Sequence, residues 1–302
     1  MRTAVNYFET EQDKIDYIKK TEDAFEVAID RTVAKILEGL SSHILTLSGP
    51  TCSGKTTMAK KLVAELAERG KRVHVVSIDD FFFDRDKLAA DAKKRGVALD
   101  FDSPLSMDLE AFSHAVQEIL QGTEVALPVF DFKEGRRTGF RSLTAGENDI
   151  FIFEGIQAVY PEVTGLLGST PYRSIYVSVM ESLSVNGTVF SPNQIRFFRR
   201  LVRDTRFRGA TPPFTFYLWD SVRENEETNI FPYASSADVT FNTLIDYGVG
   251  MLKPSLEKLL KELPDRDVHK DTAERMLLSL EGVTPIDEKY LPPKSVYHEF
   301  LG

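Results

Sequence analysis

Residues 49–56 constrain the fold of this chain more than any other segment. They read Gly-Pro-Thr-Cys-Ser-Gly-Lys-Thr and fit the phosphate-loop pattern G-x-x-x-x-G-K-[ST] at every position. Residues 44–48, before the loop, have the pattern of a buried strand, and residues 55–69 after it have the pattern of a helix that ends at a glycine. A second strand is predicted at 72–78. The order strand, loop, helix, strand is the one that a phosphate-binding unit requires.

The composition of this octapeptide is suited to an anion. Gly49 and Gly54 let the backbone wrap a phosphate with its N–H groups pointing inward, and Lys55 adds a full positive charge at a helix N-terminus. The Thr56 hydroxyl is placed to bind a magnesium ion. The alternative is a plain glycine–serine turn between a strand and a helix. The predicted nucleotide-binding residues of the loop are Gly49, Thr51, Cys52, Ser53, Gly54, Lys55, Thr56 and Thr57.

Composition excludes several classes of protein. With 42% hydrophobic and 27% charged residues the chain has an ordinary globular composition. No apolar run approaches the roughly 20 residues of a membrane span, and residues 1–9 lack the apolar core of a signal peptide. A single cysteine excludes an internal disulfide framework, and a net charge of −9 argues against wholesale nucleic-acid binding. We therefore expect a cytoplasmic protein without a membrane or nucleic-acid partner.

Strands and helices alternate along the chain, which predicts a three-layer α/β fold with a mainly parallel sheet. Further strands are expected at 125–130, 150–153, 175–179 and 239–241, and further helices at 108–121, 194–208, 216–227 and 248–262. We divide the chain into an N-terminal helical lead-in (1–42), a phosphate-loop domain (43–262) and a C-terminal tail (263–302) packed on the core, with a helix at 273–280.

Carboxylates follow two of the predicted strands. Asp79 and Asp80 end the second strand, and Glu154 ends the strand at 150–153. Ligands of open α/β sheets bind at this edge, where a carboxylate can take a hydroxyl proton in phosphoryl transfer or orient a metal ion. The alternative for the aspartate pair is a turn and helix cap. The chain lacks the Asn-Lys-x-Asp motif of GTPases and the Leu-Ser-Gly-Gly-Gln type signature of transporter ATPases.

Arginines are concentrated in one predicted helix near residue 200. Arg196, Arg199, Arg200 and Arg203 fall at i, i+3, i+4 and i+7 and hence on one helix face. In an acidic chain such a face needs an anion, and the planar donors of arginine suit a triphosphate. The alternative is a solvated helix whose arginines pair with carboxylates such as Asp204.

Taken together, these segments resemble uridine kinase-like nucleoside kinases of the phosphoribulokinase/uridine kinase family over about residues 43–260. Ser-Ile-Asp-Asp-Phe-Phe at 77–82 is similar to the Ser-x-Asp-x-Phe-Tyr segment of the family, which implies that Asp79 is the catalytic base. Asp-Phe-Asp-Ser-Pro at 100–104 is similar to Asn-Phe-Asp-His-Pro, which implies that Asp102 binds ribose hydroxyls. The match is closest to a longer bacterial branch that carries segments like 219–227, 229–233 and 295–302.

The resemblance also implies roles for the remaining segments. Residues 128–132 are similar to a Tyr-Asp-Phe stretch that packs around the base, and residues 199–209 resemble an arginine-rich lid helix, here about 191–213, which closes over the phosphates. The implied cofactors are ATP, with Arg208 as an additional ligand, and Mg²⁺, held by Thr56, Asp79 and Glu154. The implied catalytic residues are Asp79, Lys55, Arg200 and Arg203. The implied substrate-binding residues are Asp79, Phe82, Asp102, Phe130, Phe132, Arg137 and Arg200.

The chain departs from the pattern of the family where the acceptor would bind. Phe82 and Phe130 stand where typical members have tyrosines, and Gly135 replaces a base-reading histidine. Ala210 replaces the second arginine of the Arg-Gly-Arg motif, with Arg206 as a candidate substitute. An apolar slot discriminates weakly among bases. A nucleoside is the leading acceptor, and the alternatives are a sugar phosphate, pantothenate, or a nucleotide-binding regulatory module without turnover.

Two further expectations concern Cys52 and assembly. Cys52 is best explained as a small residue at a variable loop position, with redox sensitivity as the alternative because thiols near a lysine and a helix N-terminus tend to have a lowered pKa. The five histidines have no metal-ligand spacing. The resemblance leaves a homo-oligomer open.

Overall fold

A five-stranded parallel sheet forms the centre of the protein. The computed structural model describes residues 1–40, 42–96, 103–146 and 148–302. The strands of these residues are β1 (Arg2–Thr3), β2 (Ile44–Ser48), β3 (Val73–Ser77), β4 (Glu124–Asp131), β5 (Arg136–Thr144), β6 (Ile150–Glu154), β7 (Tyr172–Ser178), β8 (Leu183–Val185), β9 (Thr188–Phe190) and β10 (Val239–Asn242). The central sheet has the order β10–β7–β2–β6–β3.

The helices surround this sheet, and in the described part of the chain none of them is both long enough and apolar enough to cross a bilayer. The α-helices are α1 (Glu11–Leu37), α2 (Lys55–Glu68), α3 (Arg85–Arg95), α4 (Leu109–Gln121), α5 (Pro161–Thr164), α6 (Pro192–Phe207), α7 (Pro212–Asn225), α8 (Phe231–Ala234), α9 (Gly248–Lys261), α10 (Lys270–Glu281) and α11 (His298–Leu301).

The two faces of the sheet bury different side chains, which makes the fold three-layered. Leu45 and Leu47 of β2 join the core shared with α1, α2, α6 and α9, whereas Ile44 joins the core shared with α4. Successive residues of a strand point to opposite faces, so a central strand covered on both sides is buried throughout, as all five residues of β2 are. The predicted α/β fold with a mainly parallel sheet is confirmed.

Strand 125–130 was expected with the other strands, but in the structure it does not belong to the central sheet. It is β4, and it pairs antiparallel with β5 in a separate hairpin. Its buried and exposed residues largely alternate, as in a ribbon with one solvated face, although Leu127 and Pro128 are both buried. The sequence reasoning missed β5 because most of its residues are exposed. A signal was present, since Asp131 accepts from the N–H groups of Lys133 and Glu134 in the turn.

The lead-in helix and the tail pack on the same core as the sheet. Phe25 of α1 and Phe300 of α11 both belong to the cluster that covers β2 and α2. At the centre of this contact the Tyr247 hydroxyl binds Glu22 of α1 and lies 2.9 Å from the Ser295 hydroxyl. Burial raises the pKa of Glu22, and the two hydroxyls oppose this effect. Helix α1 and the tail therefore both bind the segment between β10 and α9, residues 243–247, which we call the strap.

Candidate active site

A cavity of about 790 Å³ lies at the carboxyl edge of the central sheet. The phosphate loop forms one end, the β4–β5 hairpin forms the other, and α6 and α7 form a wall between them. Its lining includes these predicted site residues: Thr51, Cys52, Lys55, Thr56, Asp79, Phe82, Phe130, Phe132, Glu154, Arg200, Arg203 and Arg208. Its position is the one that the strand order and the loop motif predict.

The backbone of the phosphate loop needs both of its glycines. A side chain at Gly49 would collide with the carbonyl oxygen of Val177 in the neighbouring strand. Gly54 caps α2 with a φ of 93°, a left-handed conformation that other residues rarely adopt. Cys52 also has a positive φ, 57°, although it carries a side chain. The loop is therefore held in a conformation that its sequence alone does not favour throughout.

Side chains outside the cavity bind the carbonyl oxygens of this loop. Arg196 donates to the Thr51 carbonyl at 3.2 Å, and Arg199 donates to the next carbonyl, that of Cys52, at 3.3 Å. The hydroxyl of Thr243, in the strap after β10, donates to the third carbonyl, that of residue 53. Three consecutive acceptors are thus satisfied from outside, which supports the conformation of the loop.

Lys55 lies inside the loop that its motif predicts. Its Nζ donates to the carbonyl oxygens of Gly49 at 3.0 Å and Pro50 at 3.4 Å. These bonds keep the ammonium group at the phosphate end of the cavity, where α2 begins. A full charge and the partial charge of a helix N-terminus therefore coincide there.

Two carboxylates face this cation across the sheet edge. In the register of β3 and β6, Ser77 lies opposite Glu154, so Asp79 follows directly at the same edge. Burial raises the pKa of Glu154 to about 7, Lys55 opposes the shift and Asp79 adds to it. Thr56, Asp79 and Glu154 offer the oxygen donors that Mg²⁺ prefers, and their negative field fits a divalent cation.

The neighbouring carboxylate, Asp80, has a structural role. It accepts the backbone N–H of Phe130 at 3.1 Å and so ties the hairpin to the edge of the sheet. Burial raises its pKa, and the hydrogen bond from Phe130 opposes the shift. The aspartate pair is therefore divided: Asp79 lines the cavity, and Asp80 anchors β4.

The arginines of α6 separate into two groups. Arg200 and Arg203 line the cavity, as does Arg208 just after the helix. All three surround Asp204, with nitrogen–oxygen distances of 3.1, 2.7 and 3.8 Å, respectively. Burial opposes the ionisation of Asp204, but the surrounding arginines outweigh it and its pKa lies below the ordinary value.

Arg196 and Arg199 form the second group and do not reach the cavity. Both are almost fully buried, at 1% and 0% exposure. Arg196 makes two hydrogen bonds to the equally buried Glu226, one of them at 2.7 Å. The expectation of a single anion-binding face is therefore wrong for these two arginines. Helical spacing places all four arginines on one side of α6. In the structure, however, Arg196 and Arg199 are buried against other protein segments, and only Arg200 and Arg203 line the cavity.

The candidate substitute Arg206 also points elsewhere. It pairs with Glu288 and donates to the carbonyl oxygen of Leu301, and it is absent from the cavity lining. Arg206 therefore does not substitute for the second arginine of the Arg-Gly-Arg motif, whose position in this chain is taken by Ala210. The residues from 195 to 204 are largely buried as part of the core, so among the residues predicted for the lid, those around 208–214 border the cavity most openly.

The far end of the cavity is aromatic. Phe130 makes edge contacts with Phe82 and Phe132, with ring centroids 5.9 and 5.3 Å apart. Arg208 lies over the Phe132 ring at 4.9 Å, within the range of a cation–π contact. This end offers broad apolar faces with a cation at the border.

Other predicted residues lie outside the lining. Arg137 binds Asp108 at 3.1 Å and the carbonyl oxygen of Phe81 at 3.0 Å, and so joins the hairpin to the start of α4. Asp102 lies outside the described residues. Four residues predicted to bind the nucleotide are also absent from the cavity lining: Gly49, Ser53, Gly54 and Thr57.

Several lining residues were not predicted from the sequence. Asp204 was noted only as a partner for the arginines, and Arg85, Lys133 and Glu299 were not singled out. Lys133 has a detectable signal, because it follows the aspartate of the hairpin turn. Glu299 has none, since it reaches the phosphate loop from more than 240 residues further along the chain.

Cys52 is buried at 2% exposure, and its thiol accepts only a long contact from Thr51 at 3.9 Å. A buried side chain of this size fits the interpretation of Cys52 as a small loop residue, and redox sensitivity remains a prediction without a test.

The chain is similar in sequence and in fold to several known proteins. The family model described as "Phosphoribulokinase / Uridine kinase family" matches residues 44–249. The uridine kinase of Deinococcus deserti is 25% identical over 217 residues, which cover 72% of this chain and 92% of that protein. Uridine-cytidine kinase B of Dictyostelium discoideum is 24% identical over 197 residues, which cover 65% of this chain and 72% of that protein. The solved structure of the YGR205w protein aligns with a TM-score of 0.53 at 15% identity, covering 73% and 92%.

Proposed function

The chain belongs to the phosphoribulokinase / uridine kinase family, and from this premise we propose that it transfers the γ-phosphoryl group of ATP to the 5′-hydroxyl of a nucleoside, uridine or cytidine first. As a family member it is a phosphotransferase with an alcohol acceptor. One observation carries the proposal: Asp79 lies in a cavity that has the phosphate loop at one end and an aromatic slot at the other. An acceptor hydroxyl placed between the two ends would lie near both Asp79, the proposed general base, and the γ-phosphate of ATP.

Asp79 accepts the proton of the acceptor hydroxyl as the new bond to phosphorus forms, and ADP leaves. Lys55 stays with the phosphates at the loop, and Arg200 and Arg203 stabilise the charge on the transferred group from the wall of α6. Thr56, Asp79 and Glu154 would hold Mg²⁺, which supplies neutralisation of the phosphate oxygens when bound. Such stabilisation is strong because the side chains are already in place before the substrate arrives.

Exclusion of water falls to the segment after α6. Residues 208–214 border the cavity, and Gly209 has a φ of 65°, so the chain can turn sharply between α6 and α7. We assign lid closure to this segment, because the buried part of α6 is fixed in the core. Closure would bring this segment over the acceptor and toward the Phe132 ring of the hairpin, which Arg208 already covers.

A second acceptor class has its own supporting observation. Arg85, Lys133 and Arg208 all border the cavity, and two of them come from the hairpin side where the acceptor would lie. An alcohol that carries an anionic group, such as a sugar phosphate or pantothenate, would match these cations better than a neutral nucleoside does. The aromatic slot favours the nucleoside, which brings a flat base.

The test is an ATP-consumption screen over nucleosides, sugars, sugar phosphates and pantothenate, run in parallel with the Asp79→Asn variant. We expect turnover with a nucleoside and a loss on the order of a thousandfold in kcat for the variant, since a general base contributes about 10²–10⁴-fold. ATP affinity, measured without Mg²⁺, should stay within a few-fold, because Lys55 and the loop backbone that would hold the phosphates are unchanged in this variant. Equal turnover by both proteins would remove Asp79 from the base role. Turnover with anionic alcohols alone would show that the acceptor is an anionic alcohol and not a nucleoside. The absence of turnover with every compound in the screen would favour a regulatory module.

A further inference from the structure

We propose that Arg199 and residues 295–302, which we call the C-terminal segment, position the phosphate loop for nucleotide binding. The inference rests on the proposed function only in that the loop is taken to bind a nucleotide. Arg199 does not touch the cavity, so it acts through the loop backbone as a positioning residue.

Arg199 joins three parts of the chain that lie far apart in sequence. Its guanidinium donates to the Cys52 carbonyl at 3.3 Å and to the Thr243 carbonyl at 2.8 Å. The same group lies 5.1 Å from the ring centroids of both Tyr297 and Phe300. Because the side chain is fully buried, no solvent competes for these bonds. The loop, the strap after β10 and the C-terminal segment therefore share one cation.

The C-terminal segment also reaches the loop directly. A Cβ placed on Gly54 would lie 3.3 Å from a methyl group of Val296, so this side chain packs against the glycine that starts α2. Glu299 lines the cavity, and its Oε2 is buried without a hydrogen-bond partner among the described residues. Tyr297 fills the space above Gly248, where any added Cβ would overlap its hydroxyl.

The conformation of the loop explains why such support matters. Cys52 has a left-handed φ of 57°, a strained region for a residue with a side chain. Arg199 binds the carbonyl of this same residue, so the bond opposes relaxation toward a more extended conformation. If the bond is lost, a smaller fraction of molecules presents the anion-binding loop, and the apparent Kd rises in inverse proportion to that fraction.

The decisive measurement is the Kd for ATP of Arg199→Met, which keeps the volume and removes the donors. We expect it to rise about tenfold, the effect of losing a charged hydrogen bond that holds the binding conformation. Lys253→Met is the matched control: Lys253 is also a buried cation, and its Nζ binds the Val283 carbonyl at 2.7 Å, away from the loop. Both variants should lose stability, but only Arg199→Met should lose affinity. Arg199→Lys, which keeps the charge but replaces the planar guanidinium by a single ammonium group, should fall between wild type and Arg199→Met.

The converse effect gives a second readout. If the segment supports the loop, then bound ATP must stabilise the segment, because coupling between sites is reciprocal. Amide exchange of Phe300 and Leu301, whose N–H groups bind the Tyr297 carbonyl, should slow when ATP is added to wild type and not when it is added to Arg199→Met.

The outcomes separate this inference from the proposed function. A wild-type protein that binds no ATP refutes the proposed function itself. A wild-type protein that binds ATP, together with an Arg199→Met Kd equal to that of Lys253→Met, refutes the positioning role and leaves the proposed function standing. Loss of both affinity and coupled exchange in Arg199→Met alone supports it.

Discussion

The two groups of arginines on α6 lie within eight residues of each other and yet have opposite environments. Arg196 and Arg199 are enclosed by protein and bind a carboxylate and carbonyl oxygens. Arg200 and Arg203 border a cavity and share one carboxylate, that of Asp204. The first group gives most of its donors to protein acceptors, although the buried Nε of Arg199 has no partner among the described residues. The second group has more positive charge than the one carboxylate of Asp204 can neutralise.

Under the proposed function, this difference would let one helix serve both structure and catalysis. Removal of an enclosed charge leaves a buried partner uncompensated, so its main cost is in stability. Removal of a cavity charge leaves Asp204 with two other arginines, so its main cost should be in transition-state stabilisation. The predictions below separate these two costs.

The largest effect is expected for Arg203→Met. We expect kcat to fall by about 10²–10³-fold, as when one preorganised donor to the developing charge is removed. The thermal midpoint should change little, since Arg200 and Arg208 still surround Asp204. The control is Arg206→Met on the same helix, whose side chain pairs with Glu288 outside the cavity. If both variants lose kcat equally, the division of α6 into two groups is wrong.

The next effect concerns the enclosed group. Glu226→Gln removes the charge that compensates Arg196, and we expect a loss of about 3 kcal/mol in the free energy of unfolding. The matched control is Glu227→Gln: Glu227 is exposed and pairs with Arg223, which also binds Glu226. This exposed pair should contribute less than about 1 kcal/mol. Urea titration measures both variants, and equal losses would show that burial does not distinguish the two carboxylates.

The smallest effect is a pH dependence. The folded pKa of Asp204 lies below its ordinary value, so its ionised form contributes stability that is present above about pH 4 and lost as the pH falls through the folded value. The urea midpoint of wild type should therefore drop more between pH 5 and pH 3 than that of Asp204→Asn. An equal fall of the urea midpoint in wild type and in Asp204→Asn would mean that the arginines around Asp204 do not lower its pKa.

The donor end of the site could be predicted from the sequence because its signals are local. The loop motif is contiguous, and Asp79 and Glu154 come directly after apolar strands that the parallel sheet brings together. Neither observation needs knowledge of distant contacts. Fold class followed from the same signals, since buried parallel strands are apolar on both faces.

The remainder could not be predicted because it depends on contacts distant in sequence. Helical spacing puts Arg199 and Arg203 on one face, but only packing decides that the first meets Thr243 and the second meets the cavity. The hairpin partner β5 is exposed at most positions, and its apolar residues, Phe140 and Leu143, do not alternate with polar ones along the strand. Glu299 enters the site through a tail whose sequence carries no catalytic motif.

The contact between Gly248 and Tyr297 constrains the sequences that can share this arrangement. The ring of Tyr297 occupies the volume that any side chain at position 248 would need. A chain that replaces Gly248 must therefore also replace Tyr297, and with it one of the two rings beneath Arg199. Among relatives, the residues at these two positions should change together or not at all.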